Sequence, residues 1–246
     1  MRSLRATSLD VIDAASCRQP GPEFEPLVSK MRFQAFTAGN FAENGYVVWC
    51  ETTGQCVVVD PGAAAPQMVA AVEGEGSEVV AVLLTHAHLD HVEGLGVVRD
   101  FTDAPTYLHR ADRPLFDAMP AQAAMFGLTA PELAPPEREL HDGDTFRFGE
   151  SAFQVIHTPG HSPGHVILVA EDDELALVGD LVFAGSVGRT DLPGGDYQAL
   201  FDSIRRHVLT MSDETRLLTG HGPPTSVGQE RMGNPFLIPN YGGELA

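Results

Sequence analysis

The chain has 246 residues, of which 43% are hydrophobic and 20% are charged, as in ordinary globular domains. Acidic residues outnumber basic residues by 34 to 15, and a formal net charge of −19 disfavours nucleic acid and anionic membrane surfaces as partners. No apolar run approaches the ~18–20 residues that a membrane span requires.

Residues 1–30 show no sustained hydrophobic periodicity, and "CRQPGPEFEP" places three prolines within ten residues. We predict a flexible extension over 1–30, ahead of one domain over 31–246. Asp10 and Asp13 exclude the apolar centre of a secretory signal. The three cysteines form neither a CxxC pair nor an even disulfide framework, which favours a reducing, cytoplasmic location.

From Met31 onward, strand-like and helix-like segments alternate. The β-like runs "MRFQAF", "GYVVWC" and "CVVVD" precede a predicted helix over 65–74 and a buried strand, "EVVAVLL". Short helices interrupted by prolines are predicted over 111–137, followed by the strands "TFRFG", "AFQVIHT", "HVILVA" and "LALVGD". A helix over 197–210 and a strand, "TRLLTG", complete the pattern. Two batches of strands, with helices between and after them, predict a layered α/β sandwich.

The buried strand "EVVAVLL" leads directly into a dense polar cluster, "THAHLDH". His86, His88, Asp90 and His91 have the spacing HxHxDH, which lets the first two face one point and the last two a neighbouring point. Imidazole nitrogens and carboxylate oxygens are ligands suited to zinc, and also to iron or manganese. A polar turn that merely happens to be rich in histidine is the alternative, and the density of the cluster disfavours it.

Further candidate ligands follow other predicted strands: His161 in "HTPGHSPGH", Asp180 in "LALVGDLVF" and His221 in "RLLTGHGPP". A rigid sheet concentrates binding residues in loops of this kind. His165 flanks His161 and is a candidate to orient it through a hydrogen bond. Asp60, in the turn after "CVVVD", is a candidate to support a ligating histidine.

Two features have more than one interpretation. Arg189 either binds a substrate carboxylate or pairs with Asp191 or Asp180 to hold its loop, and the second role is favoured. The stretch 111–130, rich in alanine, methionine and phenylalanine, either borders the active site or packs on the sandwich, and packing is favoured.

In this order, "THAHLDH", "TPGHSPGH", "VGD" and "TGHG" resemble the metallo-β-lactamase superfamily, over nearly the whole chain after residue 30. The resemblance implies a four-layer αβ/βα sandwich with two divalent metal ions at one edge. Zinc is the expected metal, with iron or manganese as alternatives. The implied ligands are His86, His88 and His161 for one ion, Asp90, His91 and His221 for the other, and Asp180 bridging both.

Within that superfamily, "GDLVFAGSVGRTDLPGGDYQALFDSI" and "GHGPPTSVGQERMGNPFL" resemble small single-domain hydrolases of glyoxalase II type, the hydroxyacylglutathione hydrolase-like enzymes of bacteria. This resemblance implies hydrolysis of a small-molecule thioester, such as S-lactoylglutathione. Too few residues follow His221 for the helical domain of the larger glyoxalase II enzymes, and their glutathione-gripping residues have no clear match. A homodimer is an open alternative for the assembly.

No cysteine lies in a ligand-bearing segment, and a metal-bound water is the expected nucleophile. Two adjacent ions can lower its pKa from about 15.7 toward about 7, and the resulting hydroxide, oriented by Asp90, would attack the thioester carbonyl. One alternative is a persulfide dioxygenase with a single iron, although such relatives generally have cysteine where His165 stands. The others are lactonase and β-lactamase activity, although β-lactam-hydrolysing relatives usually lack the aspartate present here as Asp180.

Overall fold

Two six-stranded sheets lie face to face at the centre of the structure, a computed structural model that describes residues 31–170 and 175–238. The predicted extension over 1–30 lies outside the described residues. Helices cover the outer face of each sheet, which gives four layers in the order α/β/β/α. The predicted αβ/βα sandwich is thereby confirmed.

The first sheet comes from the N-terminal half of the chain. Its strands, in an order that is the same in space and in sequence, are β1 (Met31–Ala38), β2 (Glu43–Cys50), β3 (Gln55–Val59), β4 (Glu78–Leu83), β5 (Thr106–His109) and β6 (Arg138–Leu140). The pairings β1–β2 and β2–β3 are antiparallel, and those from β3 to β6 are parallel. The sequence analysis missed β5 and β6, because each is short and only partly apolar.

Helical segments provide the crossovers that parallel pairing requires. They are α1 (Ala65–Glu75), α2 (Leu89–Val92), α3 (Leu95–Phe101), a 3₁₀ turn (Arg110–Asp112), α4 (Arg113–Asp117) and α5 (Met119–Met125). The predicted short helices are present, but Pro114 and Pro120 start helices instead of interrupting them. Proline suits the first turn because the N–H that it lacks would have no partner within the helix. Within the described residues, no helix is both long and apolar enough to cross a membrane.

The second sheet has the spatial order β14-β13-β10-β9-β8-β7. Its strands and a small hairpin (β11, β12) are β7 (Thr145–Phe148), β8 (Ser151–His157), β9 (Val166–Ala170), β10 (Leu175–Gly179), β11 (Val182–Phe183), β12 (Ser186–Val187), β13 (Arg216–Thr219) and β14 (Thr225–Ser226). On its outer side lie α6 (Tyr197–Ser203) and α7 (Val227–Gly233). The helix predicted over 197–210 is therefore shorter, and it continues as a π-helical turn over Ile204–Val208.

An apolar layer fills the space between the sheets. Val48 and Leu83 of the first sheet pack in it with Phe153 and Leu168 of the second, and all four are fully buried. Burying a side chain of this size contributes about 1.5–3 kcal/mol. This core holds the ends of β3, β4, β10 and β13 at one edge of the sandwich, where the polar loops converge.

Candidate metal centre

The seven predicted metal ligands lie together at one edge of the sandwich. They follow β4, β10 and β13 or lie between β8 and β9, and they are His86, His88, Asp90, His91, His161, Asp180 and His221. These residues span 136 positions of sequence between His86 and His221 when both are counted. Folding therefore brings them together, since no local motif contains them all.

His86, His88 and His161 form the first group, in which one donor atom from each residue lies within 4.8 Å of the others. Nδ1 of His88 is 2.8 Å from Nε2 of His161. The His86 ring is fully buried, and its Nδ1 is 3.0 Å from the hydroxyl of Thr85. This contact orients the ring and leaves its Nε2 available to a ligand.

Asp90, His91 and His221 form the second group, with the same spacing between donor atoms. Nε2 of His221 is 3.3 Å from Oδ2 of Asp90. On its other side, His221 places Nδ1 3.1 Å from the carbonyl oxygen of Phe41, which orients the ring. The arrangement leaves one nitrogen of His221 facing the centre.

Asp180 stands between the two groups. Its Oδ1 is 3.3 Å from Nε2 of His91, and its Oδ2 is 3.4 Å from Nε2 of His161 and 3.5 Å from Nε2 of His221. The two oxygens of one carboxylate thus face both groups. This is the arrangement required of a bridging ligand, and the bridging role itself stays a prediction.

The donor set fits divalent metal ions, because polar atoms are buried there without partners. Within the described residues, Nε2 of His86, His88 and His91 and Oδ1 of Asp180 are buried and have no hydrogen bond. Each unsatisfied buried polar group costs about 1–3 kcal/mol. Cations bound to the two donor groups would relieve this cost at His86, His91 and Asp180, since nitrogen and oxygen ligands suit zinc, iron or manganese.

Burial and charge divide the histidines into two classes. Burial lowers the pKa of His88 to about 3 and that of His86 well below its ordinary value. Burial also opposes the charged form of His221, but the carboxylates of Asp180 and Asp90 raise its pKa to about 10. Because a ligating imidazole must be neutral, metal binding at His221 would release a proton.

Asp60 lies behind His91, on the side opposite Asp180. Its Oδ2 is 3.1 Å from Nδ1 of His91, and its two oxygens accept hydrogen bonds from the backbone N–H and the hydroxyl of Thr85 at 2.7 and 2.6 Å. Asp60 also lies within metal-ligand spacing of His86 and His91. Because its oxygens are already engaged by Thr85, we favour a role in orienting His91, as predicted from the sequence.

His165 and Arg189 take positions that the sequence analysis anticipated only in part. Nε2 of His165 accepts a hydrogen bond from the backbone N–H of Asp180 at 3.1 Å, so His165 contacts Asp180 where a contact with His161 was expected. His161 is instead oriented by the carbonyl oxygen of Arg189, 2.8 Å from its Nδ1. The Arg189 guanidinium forms two hydrogen bonds to Asp191, at 2.7 and 2.8 Å, which is one of the two loop-holding pairings considered.

Asp112 is a buried carboxylate that joins two ligand-bearing loops, and it was not predicted from the sequence. It accepts hydrogen bonds from the backbone N–H of Ala87 at 3.0 Å, the hydroxyl of Ser162 at 2.7 Å and the backbone N–H of Gly164 at 2.5 Å. Ala87 lies between His86 and His88, and Ser162 follows His161 directly. In the sequence, an aspartate before "RP" indicates only the start of a helix. In the structure, the side chain of Asp112 forms no capping hydrogen bond to α4.

Glu43 is a second buried carboxylate that the sequence did not indicate. It is 1% exposed, and its Oε1 is 3.9 Å from Nδ1 of His91. Neither oxygen has a hydrogen bond within the described residues. Burial raises its pKa well above the ordinary value. Its position at the start of β2 carries no local signal for such a role.

A cavity of about 290 Å³ opens onto the metal centre. Its lining combines five of the predicted ligands with apolar side chains, two neutral polar side chains and one arginine: Phe41, His88, Leu89, Asp90, Gln122, Phe126, His161, Asp180, Phe183, Ser186, Val187, Arg189, Leu192 and His221. Gln122 and Phe126 come from the stretch 111–130, whereas Leu115, Phe116, Met119 and Ala123 pack in the core. That stretch therefore has both of the roles considered. The volume admits a small molecule.

Comparison with known proteins agrees with the fold. The family model described as "Metallo-beta-lactamase superfamily" matches residues 38–221. Hydroxyacylglutathione hydrolase GloC of Haemophilus influenzae is 32% identical over 209 residues, covering 84% of this chain and 98% of that protein. The crystal structure of BLEG-1 B3 metallo-beta-lactamase is 35% identical with a TM-score of 0.79, covering 84% of this chain and 100% of that chain. The crystal structure of TTHA1623 in a di-iron-bound form is 42% identical with a TM-score of 0.76, covering 83% of this chain and 100% of that chain.

Proposed function

The chain belongs to the metallo-β-lactamase superfamily, and on this premise we propose that it hydrolyses a small-molecule thioester with the help of two divalent metal ions. The observation that carries the proposal is the position of Asp180, whose two oxygens face His91 on one side and His161 and His221 on the other. One carboxylate between two groups of donors favours a two-metal site over a single-metal site.

In this proposal His86, His88 and His161 hold one ion, Asp90, His91 and His221 hold the other, and Asp180 contacts both. Bound there, the ions would lower the pKa of a coordinated water from about 15.7 to about 7 and polarise the substrate carbonyl. Zinc is the expected metal, and the di-iron form of TTHA1623 makes iron the main alternative.

Asp90 is the proposed catalytic residue, because it lines the cavity beside the donor groups. Burial opposes ionisation of its carboxyl, but His91 and His221 hold its pKa below the ordinary value. The ionised carboxylate can therefore accept a hydrogen bond from an attacking water and orient it. Asp60 and the carbonyl oxygen of Arg189 keep His91 and His161 in position during the reaction.

Hydrolysis of a thioester is supported by the likeness to GloC, which is named a hydroxyacylglutathione hydrolase. The excess of acidic residues supports a small-molecule substrate over nucleic acid or a membrane surface. Cys50 and Cys56 are both free, which supports a reducing, cytoplasmic location. A homodimer is compatible with this proposal.

β-Lactam hydrolysis is the second candidate, because BLEG-1 is named a B3 metallo-beta-lactamase. The position of Asp180 between the two donor groups disfavours it, since β-lactam-hydrolysing relatives usually lack that aspartate. A single-iron persulfide dioxygenase is disfavoured by His165, where such relatives generally have cysteine.

The test is metal analysis of the purified protein, followed by three parallel assays: S-lactoylglutathione hydrolysis, nitrocefin hydrolysis and oxygen uptake with glutathione persulfide. We expect two metal ions per chain and hydrolysis of the thioester alone. One iron per chain with oxygen uptake would contradict the proposal, and so would hydrolysis of nitrocefin without hydrolysis of the thioester.

A further inference from the structure

The cavity beside the metal centre also indicates which thioesters this chain accepts. We propose that it selects thioesters whose thiol carrier and acyl group are uncharged and apolar, over the carboxylate-bearing thioesters of glutathione. This inference rests on the proposed thioester hydrolysis and specifies its substrate class.

Where they are not candidate metal ligands, the walls of the cavity are mostly apolar, and the exceptions are Gln122, Ser186 and Arg189. Phe41 and Phe126 meet edge to face on one side, with ring centroids 5.0 Å apart. Phe183 lies against the ring of His221, at 5.9 Å between centroids. The remaining apolar lining residues are Leu89, Val187 and Leu192. Apolar and aromatic walls of this kind stabilise a bound ligand in proportion to the apolar area that they remove from water.

The polar groups of the lining offer little to a carboxylate. Gln122 is fully engaged, since its Oε1 accepts from the backbone N–H of Leu89 and its Nε2 donates to the carbonyl oxygens of Ala87 and Leu115. Arg189 is the one lysine or arginine of the lining within the described residues, and its Nε and Nη2 donate to Asp191. The carboxylate of Asp191 offsets the guanidinium charge and so weakens its attraction for a substrate carboxylate.

The net negative charge of the chain also disfavours anionic thioesters. With 34 acidic and 15 basic residues, the field of the protein repels anions at a distance from the metal ions, and the single lysine, Lys30, lies outside the described residues. Glutathione carries two carboxylates and one ammonium group, so its thioesters approach this field as anions. An uncharged thioester meets no such repulsion.

The size of the cavity limits the acyl group. At about 290 Å³ it lies at the lower end of the range for small-molecule sites, about 300–1,000 Å³. A short acyl chain on a small neutral carrier fits this space. N-acetylcysteamine is a suitable neutral carrier for the test, because it keeps the thioester and its amide arm without a charged group.

The first experiment compares two substrates that share one acyl group, S-butanoyl-N-acetylcysteamine and S-butanoylglutathione, with the metal-loaded protein. We expect kcat/KM to be about tenfold higher or more for the neutral substrate. Raising the ionic strength should narrow this ratio, because salt screens the repulsion of the glutathione thioester alone. Equal values, or a preference for the glutathione thioester, would overturn the inference while leaving thioester hydrolysis intact.

The second experiment measures binding without turnover, so that it remains decisive if neither thioester is hydrolysed. Calorimetry compares S-hexyl-N-acetylcysteamine with S-hexylglutathione, two thioethers that cannot be hydrolysed. We expect the neutral thioether to bind more tightly, and tighter binding of S-hexylglutathione overturns the inference. Failure of both hydrolysis assays with tight binding of the neutral thioether would instead reject the proposed reaction and keep the assigned ligand class.

Two variants locate the binding in this cavity. Phe126→Ala should weaken binding of the neutral thioether about fivefold or more, because the truncation removes an apolar wall. Phe236→Ala is the matched control, since Phe236 is 44% exposed against 45% for Phe126 and does not line the cavity. An equal effect of the two substitutions would contradict the assigned cavity.

Discussion

Nδ1 of His88 lies 2.8 Å from Nε2 of His161, although 73 positions separate the two residues in the sequence. Two imidazole nitrogens at this distance can share one proton or bind one cation. Burial lowers the pKa of His88 to about 3, so its ring is neutral at pH 7, which is the form in which an imidazole binds a metal ion. This contact between two loops is the structural basis for the first metal position, and the following predictions depend on the surroundings of the centre.

Replacing the carboxylate between the two donor groups should remove metal and activity together. Asp180→Ala leaves Nε2 of His91, His161 and His221 without their shared anionic partner. We expect fewer than two metal ions per chain and a loss of kcat/KM above about 100-fold, because changes to groups outside the ligand set already cost 10–100-fold. His207→Ala, outside the site, should change neither metal content nor activity. Full activity in Asp180→Ala would refute the bridging role.

The contact between Asp60 and His91 should strengthen metal binding. In Asp60→Asn an amide NH₂ replaces one oxygen and faces either Nδ1 of His91 or the donors of Thr85, so a favourable contact is lost. We expect the metal dissociation constant to rise about 10–100-fold, as measured by competition with a chelator. Asp100→Asn, at an exposed position of α3, is the control. An unchanged metal dissociation constant in Asp60→Asn would refute the role of Asp60 in orienting His91.

Asp112 should stabilise the fold even without metal. Asp112→Ala leaves the buried N–H groups of Ala87 and Gly164 without acceptors, at a cost on the order of 3 kcal/mol in the free energy of unfolding. Chemical denaturation of the metal-free protein measures this change. Asp117→Ala should alter stability by less than about 1 kcal/mol, because Asp117 forms an exposed pair with Arg113. Equal effects of the two substitutions would argue against a joining role for Asp112.

A stacked histidine pair outside the metal centre should make the fold sensitive to acid. The rings of His109 and His157 lie 4.1 Å apart, and burial together with His157 lowers the pKa of His109 to about 4. Since this pKa lies below the ordinary value of 6.5, the contribution of His109 to stability is present above pH 6.5 and is lost as the pH falls toward 4.

His109→Phe keeps an aromatic ring and removes the titration, so its denaturation midpoint should fall less than that of the wild type between pH 7 and pH 4.5. His207→Phe serves as the control and should behave like the wild type. A His109 pKa near 6.5 in an NMR titration would contradict the assigned shift.

The convergence of the seven candidate ligands was predictable because they lie in segments that follow apolar strands, as Asp180 follows β10. A layered α/β sandwich was predictable from the order of the strand batches, and its four layers from the family resemblance. Asp112 was not, since its importance comes from contacts with Ala87 and Gly164, 25 and 52 positions away. The apolar walls were not predictable either, because Phe41 and Phe126 meet only after folding and neither belongs to a periodic pattern.

The requirement for two metal ions is tested most directly by titrating metal back into metal-depleted protein while following release of thiol from a thioester. If both donor groups are occupied in the active state, the rate should rise until two equivalents per chain are bound and then remain constant. A rate that reaches its maximum at one equivalent, or that is unchanged by removal of metal, would contradict the account.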